Sequence, residues 1–491
     1  MDNIKNSSTS GDELRPYQTQ GISEIFKIWR AGKRSILFQM PTGTGKTVLF
    51  SEIVKKGFKQ NKKILIVVHR KELVEQIKDK LLSKNVELGI IMAGFEASPD
   101  RNIQVASIQT LSNRFIDEPN LIIIDECHHA KAETYKELWE KYPSAKILGV
   151  TATPIRLSGE GFDDIFDELI TSQPLKYFID QGYLVPIRHF VCSNPNLSKV
   201  KKSKGDYATK MLTEVMMDNS VMTDLTDSYL EKCMGKSMIV FAVDIEHSIE
   251  IAARYNQIGI KAAHIDAKTP TNERQNILSA FKRKEIQIVT NVEIITEGFD
   301  FPECEVVQLA RPTKSLALYL QMVGRVMRPA ALKKEGIVLD NASLWLDHGL
   351  SYVEREWELT GVNKKSKKGF VDLNIAALDN NGFIVKVNRN KPQEIKGLSL
   401  IELNAEFERL VIFEGLLKFS KSKNFNLLNA YNEYLTYLES KHIRFTEIEF
   451  EYVRNRLNYL NKRMPEYKRF NKGYWYHQAK KFEFKKPKWE P

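Results

Sequence analysis

Between residues 35 and 54 the chain passes from a short apolar run, Ser35-Ile36-Leu37-Phe38, through Gln39-Met40-Pro41-Thr42-Gly43-Thr44-Gly45-Lys46-Thr47, into a helical run, Val48 to Val54. This strand–loop–helix order places a helix N-terminus at the end of a strand. Backbone N–H groups and the positive end of the helix dipole then point into the loop. Gly43 and Gly45 lack the Cβ atoms that would block backbone N–H groups from phosphate oxygens. Lys46 adds a point charge, and Thr47 a hydroxyl suited to magnesium. Loops of this kind usually carry another glycine upstream of Gly43, and Gln39 to Thr42 has none. The competing reading is a flexible turn with a chance lysine. The flanking strand and helix weigh against it, so Thr42, Gly43, Thr44, Gly45, Lys46 and Thr47 are candidate nucleotide-binding residues.

The surrounding pattern has the same grammar. Leu14-Arg15-Pro16-Tyr17-Gln18 opens a helix with Ile22, Ile25, Phe26 and Trp29 at helical spacing. Ile64–Val68, Ile103–Ser107, Leu121–Ile124 and Ile147–Thr151 then read as buried strands, separated by helices such as 71–82 and 132–141. A second series follows at Met238–Ala242, Ala262–Ile265, Ile286–Thr290, Val306–Leu309 and Gly336–Leu339. Continuous β-branched strands alternating with helices predict parallel sheets covered on both faces. Between the series, Lys199, Lys201, Lys202 and Lys204 surround Asn194-Pro195-Asn196 and Gly205. That stretch reads as an exposed linker or insertion, with a solvated loop and a DNA contact both open.

With 491 residues the chain has room for two to four domains of about 100–200 residues each. The net charge of +11 leans toward a nucleic-acid partner. Cys127, Cys192, Cys233 and Cys304 form no CxxC pair, so neither a cysteine-pair zinc site nor a disulfide framework is expected. The polar start, Met1 to Glu13, is no signal peptide, and no run of about 18 apolar residues spans a membrane. A reduced, cytoplasmic setting fits these features.

Two further constellations carry chemistry. Leu121–Ile124 ends in Asp125-Glu126-Cys127-His128. A carboxylate at the C-terminal end of a parallel strand stands at the ligand-binding edge of its sheet. Adjacent acids alone are often surface residues. After four apolar residues, and downstream of a phosphate loop, Asp125 reads as a magnesium ligand and Glu126 as the group that polarises water. His128 is either a link to neighbouring elements or a satisfied interfacial histidine. In Gln321-Met322-Val323-Gly324-Arg325-Val326-Met327-Arg328, two arginines three apart share a helix face. Guanidinium groups arriving from another domain stabilise charge in phosphoryl transfer.

Taken in order, these stretches resemble superfamily 2 helicases of the DExH type. The carrying residues are Gln18, Gly43–Thr47, Asp125–His128, Thr151-Ala152-Thr153 and Gln321–Arg328. His69–Gln76, Ser107–Thr110 and Thr290–Asp300 fill the gaps, and the likeness covers roughly residues 14–350. Leu14–Gln18, Gly149–Arg156, Gly161–Asp167 and Gly182–Pro186 bring the chain nearest the group of RadD, XPB-like and UvsW-like proteins. The resemblance implies two tandem RecA-like parallel-sheet α/β domains plus a small, mainly helical C-terminal domain. It implies ATP and Mg2+ as cofactors. Gln18 would read adenine, with Arg15 shaping the pocket, and Gly298 and Asp300 would couple the second domain to nucleotide. Arg325 and Arg328 would be arginine fingers, ordered by Gln321. His128, Thr151 and Thr153 would transmit nucleotide state, and Arg70, Gln109, Thr110 and Thr290 would lie near the strand backbone. RadD-like proteins often add a cysteine-rich zinc module. No cysteine follows Cys304 here, so no zinc is expected.

The expected organisation is a leader at 1–12, a first RecA-like domain at 13–186, a linker or insertion at 187–215 and a second domain at 216–358. A basic linker at 359–399 and a helical, basic-aromatic C-terminal domain at 400–491 complete it. Over 462–491, ten lysines and arginines stand against three glutamates, interleaved with aromatic residues. Trp475, Lys480 and Lys481 there are candidate nucleic-acid contacts, with rings for stacking and ammonium groups for phosphates. The expected partner is single-stranded or branched DNA, with RNA open, and with protein partners in a repair or defence complex. The alternatives are the motor subunit of a multi-chain restriction or defence complex, and an ATP-gated clamp without unwinding.

Overall fold

The computed structural model describes residues 14–362, apart from 70, 93–94, 96–97, 99, 112–116, 130–131, 157–158, 194, 204 and 296–300. Beyond 362 it describes 377–378, 384–385, 401–403 and parts of 409–460. Arg70, Gly298, Asp300, Trp475, Lys480, Lys481 and the leader lie outside the described residues.

The first sheet is built from β1 (Ser35–Gln39), β2 (Ile64–Val68), β3 (Gly89–Ile91), β4 (Ile103–Ser107), β5 (Leu121–Asp125), β6 (Lys146–Thr151) and β7 (Glu168–Thr171). Its order is β3-β4-β2-β5-β6-β1-β7, and every pairing is parallel. Strand alternation divides the core into two layers. Ile36, Phe38, Ile64, Ile66, Leu121 and Ile123 face one layer, while Leu37, Leu65, Val67, Ile122 and Ile124 face the other. Both faces are buried, which is why these strands read as unbroken apolar runs.

The second sheet takes β8 (Ile187–Val191), then, after a small hairpin of β9 (Lys202–Ser203) and β10 (Asp206–Tyr207), β11 (Met238–Phe241), β12 (Ala262–Ile265), β13 (Ile288–Asn291), β14 (Val306–Leu309) and β15 (Gly336–Asp340). The order is β12-β13-β11-β14-β15-β8, closed on the outer side by the strand Ile401–Leu403. That last strand runs antiparallel to β8, and the other pairings are parallel. Residues 187–191, expected as the start of a linker, therefore belong to the second sheet. Met238 and Val240 face one layer, Ile239 and Phe241 the other.

The two-sheet α/β architecture agrees with the expected tandem parallel-sheet domains. Past residue 400, the helix Leu427–Ser440 contributes Ala430, Tyr431, Tyr434 and Leu438 to a cluster with Val191 and Trp345 of the second domain. The chain crosses between domains at Leu184–Pro186, where the Val185 N–H donates to the Met327 carbonyl at 2.8 Å. It returns along Trp357–Val362, and the Phe162 N–H donates to the Leu359 carbonyl. Gly161 sits beneath this return strand, where any Cβ would run into the Leu359 carbonyl. No helix among the described residues is long and apolar enough to cross a membrane.

Candidate nucleotide site between the two sheets

The loop after β1 leads into helix α2 (Lys46–Lys59). Gly43 has φ of 83° and Gly45, at the cap, φ of 94°, a region L side chains rarely adopt. A Cβ on Gly45 would stand 2.6 Å from Gln18 Nε2, and one on Gly43 would stand 3.1 Å from Arg328 Cγ. No side chain caps α2, so its first N–H groups stay open toward the cleft. Buried Thr44 turns inward, its hydroxyl donating to the Pro41 carbonyl at 2.7 Å. Gln39 fixes the start of the loop by donating to the Ala152 carbonyl at 3.1 Å. The loop thus holds its place through the neighbouring strand β6, although Gln39 to Thr42 carries no glycine.

Asp125 ends β5, and Glu126 follows with φ of 48°. That left-handed turn swings the Glu126 carboxylate to 3.3 Å from Lys46 Nζ. Its other oxygen lies 3.5 Å from His128 Nδ1, which also meets Thr151 Oγ1 at 3.0 Å. Thr151 in turn donates to the Thr153 carbonyl at 3.0 Å. From the second domain, Gln321 Nε2 bonds to His128 Nε2. One polar chain therefore joins Gln321, His128, Glu126, Lys46 and Thr151 across the domain boundary. Burial pushes the Cys127 thiol well up, with Glu126 and Asp125 adding to the shift, so this cysteine is an inert wall.

The helix Leu316–Val323 carries Gln321, and the turn beyond it carries Arg325 and Arg328. Gly324 allows close approach there, since a Cβ would stand 2.7 Å from Thr42 Cβ. Arg325, Arg328, Lys46, Thr47, Asp125 and Glu126 line one cleft of about 650 Å³ between the sheets. Arg15 and Tyr183 form its outer wall, with the guanidinium 4.5 Å above the tyrosine ring. Tyr183 is an addition to the expected site residues; an aromatic between Gly182 and Leu184 gives no hint that it folds back onto Arg15.

Other expectations land differently. Gln18 is only 2% exposed. Its Oε1 accepts the Arg15 N–H at 2.9 Å and its Nε2 donates to the Gly45 carbonyl at 3.2 Å. It therefore braces the loop from beneath, because it sits one turn into helix α1 (Pro16–Arg30), where a capping box uses it. Tyr17 joins that brace through a 2.6 Å bond to the Thr44 carbonyl, and burial raises its pKa despite Arg15. Thr290, expected near a nucleic-acid strand, is fully buried and donates to the Ser248 carbonyl at 2.8 Å. Its strand lies beneath the helix Ile245–Gln257. Gln109 is exposed at the C-terminal edge of the first sheet, and Thr110 beside it bonds Ser107 at 2.7 Å.

Thr47 and Asp125 bring a hydroxyl and a carboxylate to the same cleft, the hard oxygen donors that magnesium takes. Among the described residues no three His, Cys, Asp or Glu side chains form a metal-holding group. Magnesium at nucleotide sites needs no such cage, because one or two carboxylates and the phosphates complete its shell.

A nucleotide loop on one sheet faced by arginines from a second defines an ATPase whose site exists only when two domains meet. The family profile described as type III restriction enzyme, res subunit, matches residues 12–156, and that described as helicase conserved C-terminal domain matches 220–330. A 51.5 kDa protein of a Lactococcus phage (isolate 7-9) is 35% identical over 340 residues, 68% of this chain and 72% of that one. A putative ATP-dependent helicase, IRC3, of Saccharomyces cerevisiae is 31% identical over 346 residues, 65% of this chain but 50% of the yeast protein. The fragment structure of a putative HsdR subunit of a type I restriction enzyme from Vibrio vulnificus YJ016 superposes with a TM-score of 0.53 at 27% identity. That match covers 67% of this chain and 64% of the fragment. The chain belongs to the superfamily 2 helicases and translocases.

Proposed function

We propose that this protein couples ATP hydrolysis to movement along, or remodelling of, DNA. The carrying observation is the bond from Gln321 in the second domain to His128 in the first, which ties the position of the arginines to Glu126. In this reading Lys46 and the open start of α2 hold the phosphates. Glu126 polarises the attacking water, and Arg325 and Arg328 offset charge developing in phosphoryl transfer. Thr47 and Asp125 would hold magnesium, which supplies charge neutralisation at the phosphates when bound. Arg15 over Tyr183 offers a flat face for a base, and Gln18 acts as a brace. Because phosphates recruit residues from both sheets, nucleotide binding closes the cleft and product release opens it. Exposed Gln109 on the first domain would contact the DNA backbone, and such contacts carry no sequence information. The product is a motor largely indifferent to sequence.

The test compares ATP turnover with single-stranded, forked and duplex DNA and with RNA, alongside displacement of a labelled strand and of a triplex-forming oligonucleotide. DNA-stimulated turnover with displacement of either supports a motor. Stimulation without any displacement favours an ATP-gated clamp, and stimulation by RNA alone overturns the DNA reading. A second reading, the motor subunit of a multi-chain restriction or defence complex, is favoured by the likeness to the Vibrio restriction subunit. Purification from its host as a single species counts against it.

A further inference from the structure

The lysine-rich stretch between the two strand series is not a loose connector. It leaves the C-terminal end of β8, where Ser193 Oγ donates to the Asn341 carbonyl at 2.8 Å just past β15. Leu197, Leu212 and Met216 then bury themselves against Val243, just past β11. The β9–β10 hairpin is pinned by Asp206. Its carboxylate accepts the Thr313 hydroxyl at 2.6 Å and the Lys314 N–H at 2.7 Å, both in the loop beyond β14. Lys314 packs back over the Tyr207 ring at 4.9 Å and pairs with Asp347 at 3.0 Å. Ends of β8, β11, β14 and β15 all belong to one side of the sheet. The stretch therefore stands on the C-terminal edge of the second sheet, the counterpart of the edge that carries the nucleotide loop, Asp125 and Gln109 in the first.

Two features then stand out. Residues 193–213 hold five lysines against the single acid Asp206, whose oxygens are already engaged by the anchor. Lys199, Lys201, Lys202 and Lys210 are all exposed. A dense positive surface on an ordered element fits the phosphate backbone of a nucleic acid. Moreover, the loop that Asp206 grips, Thr313–Ser315, is the N-terminal stop of the helix Leu316–Val323. Thr313 Oγ1 accepts the Ser315 N–H at 3.1 Å, and Ser315 caps the helix. That helix leads directly to Gln321, Arg325 and Arg328.

We propose that residues 197–210 form an arm of the second domain that grips the DNA phosphate backbone through Lys199, Lys201 and Lys202. Through Asp206, a positioning residue, the arm sets the helix that brings Gln321 and the arginines to the nucleotide. The proposal rests on the DNA-motor reading and adds the surface and the route by which DNA contact reaches the ATP site.

The test uses the full chain. Lys199→Ala/Lys201→Ala/Lys202→Ala is compared with Lys56→Ala/Lys59→Ala/Lys62→Ala, which removes equal charge from exposed positions at the opposite edge of the first sheet. DNA affinity is measured against salt concentration. The arm variant should lower the log–log salt slope by about 2 to 3, near 0.7–0.9 for each phosphate no longer neutralised, and the control should leave it alone. Equal slopes in arm variant and unmutated chain, or equal changes in both variants, overturn the proposed surface. Asp206→Asn should keep DNA affinity within about twofold while the ratio of DNA-stimulated to DNA-free hydrolysis falls several-fold. If both rates drop together with the ratio intact, the role is structural and the coupling is overturned. Thr313→Val breaks the hydroxyl bond to Asp206 from its other side, along with the Ser315 N–H bond to the same oxygen, and serves if Asp206→Asn does not fold. An unmutated chain that binds no DNA overturns the motor reading and this proposal with it. DNA binding with an indifferent arm overturns this proposal alone.

Discussion

Helix α2 and the helix Ile245–Gln257 each leave the C-terminal end of a parallel strand, β1 in the first sheet and β11 in the second, yet only one is open to a ligand. Helix α2 begins at Gly45, whose left-handed backbone leaves the N-terminal N–H groups uncapped by any side chain. The helix Ile245–Gln257 begins at Asp244, whose carboxylate accepts the His247 N–H at 3.0 Å and the Thr213 hydroxyl. The first helix end asks for an anion from outside, and the second supplies its own. Duplicated architecture has thus divided its labour. In the proposed function one sheet binds phosphate, while the other contributes arginines from beyond the helix Leu316–Val323, which is itself capped by Ser315. The division explains why the site is complete only between the domains.

The largest break in this comparison comes from the donating sheet. Arg325→Ala or Arg328→Ala should lower turnover by about a thousandfold or more, the scale of an arginine finger. Nucleotide affinity, measured by equilibrium titration, should stay much closer to that of the unmutated chain. Equal losses of affinity and turnover would mean that the arginines bind rather than trigger. On the binding sheet, Glu126→Gln should cost about 10² to 10⁴ in turnover, the range of a positioned general base. Single-turnover hydrolysis reads this directly, and a normal rate would remove Glu126 from its role. Lys46→Ala on the same sheet should show its loss as weakened nucleotide binding, since its ammonium is the point charge of the loop.

How far these halves could be read from sequence depends on where each residue stands. Central strands such as Ile64–Val68 and Leu121–Ile124 are buried on both faces, so they appear as unbroken apolar runs. The strands that escaped lie at or near sheet edges. Glu168-Leu169-Ile170-Thr171 exposes Thr171 and half-exposes Glu168, and Ile187–Val191 carries exposed Arg188, so neither shows a continuous run. Gly89–Ile91 and Ile401–Leu403 are three residues each, too short for periodicity to register. Lys46, Asp125, Glu126, Arg325 and Arg328, candidates because phosphoryl chemistry fixes residue type and spacing, line one cleft. Tyr183 and the Asp206 anchor were not legible, because each acts through a partner distant in sequence, Arg15 in one case and Thr313 in the other. Gln18 was legible as important but not in its orientation, which is decided by competition with the helix cap.

The closed helix of the second sheet carries a pH signature. His247, buried in its first turn, has its pKa lowered to about 4, chiefly by burial and against the pull of Asp244 and Glu250. Its Nδ1 accepts the Val243 N–H at 3.3 Å, a bond only the neutral ring can make. The unfolded chain, with an ordinary value near 6.5, binds the proton more readily throughout that window. Stability therefore rises with pH between about 4 and 6.5 and is lost on acidification, by up to about 3 kcal/mol from this group. Urea unfolding at pH 4.5 and 7 should show that loss, and His247→Asn should reduce the difference. An unchanged pH dependence in the variant would assign the loss to other groups.

The smallest effect bears most directly on the comparison. Asp244→Ala removes the internal cap and leaves the start of the second helix as bare as α2. Lost caps cost about 1 kcal/mol, which a shift in the urea midpoint would read. Baring the helix should not create a second nucleotide site. The loop Ala242-Val243-Asp244 has no glycine to bring backbone N–H groups around a phosphate, and Val243 is buried against Leu197 and Met216. A nucleotide stoichiometry of one in the variant, at unchanged affinity, would show that an open helix end is insufficient and that the glycine loop makes the site. A stoichiometry of two would show that Asp244 alone keeps the second sheet from binding.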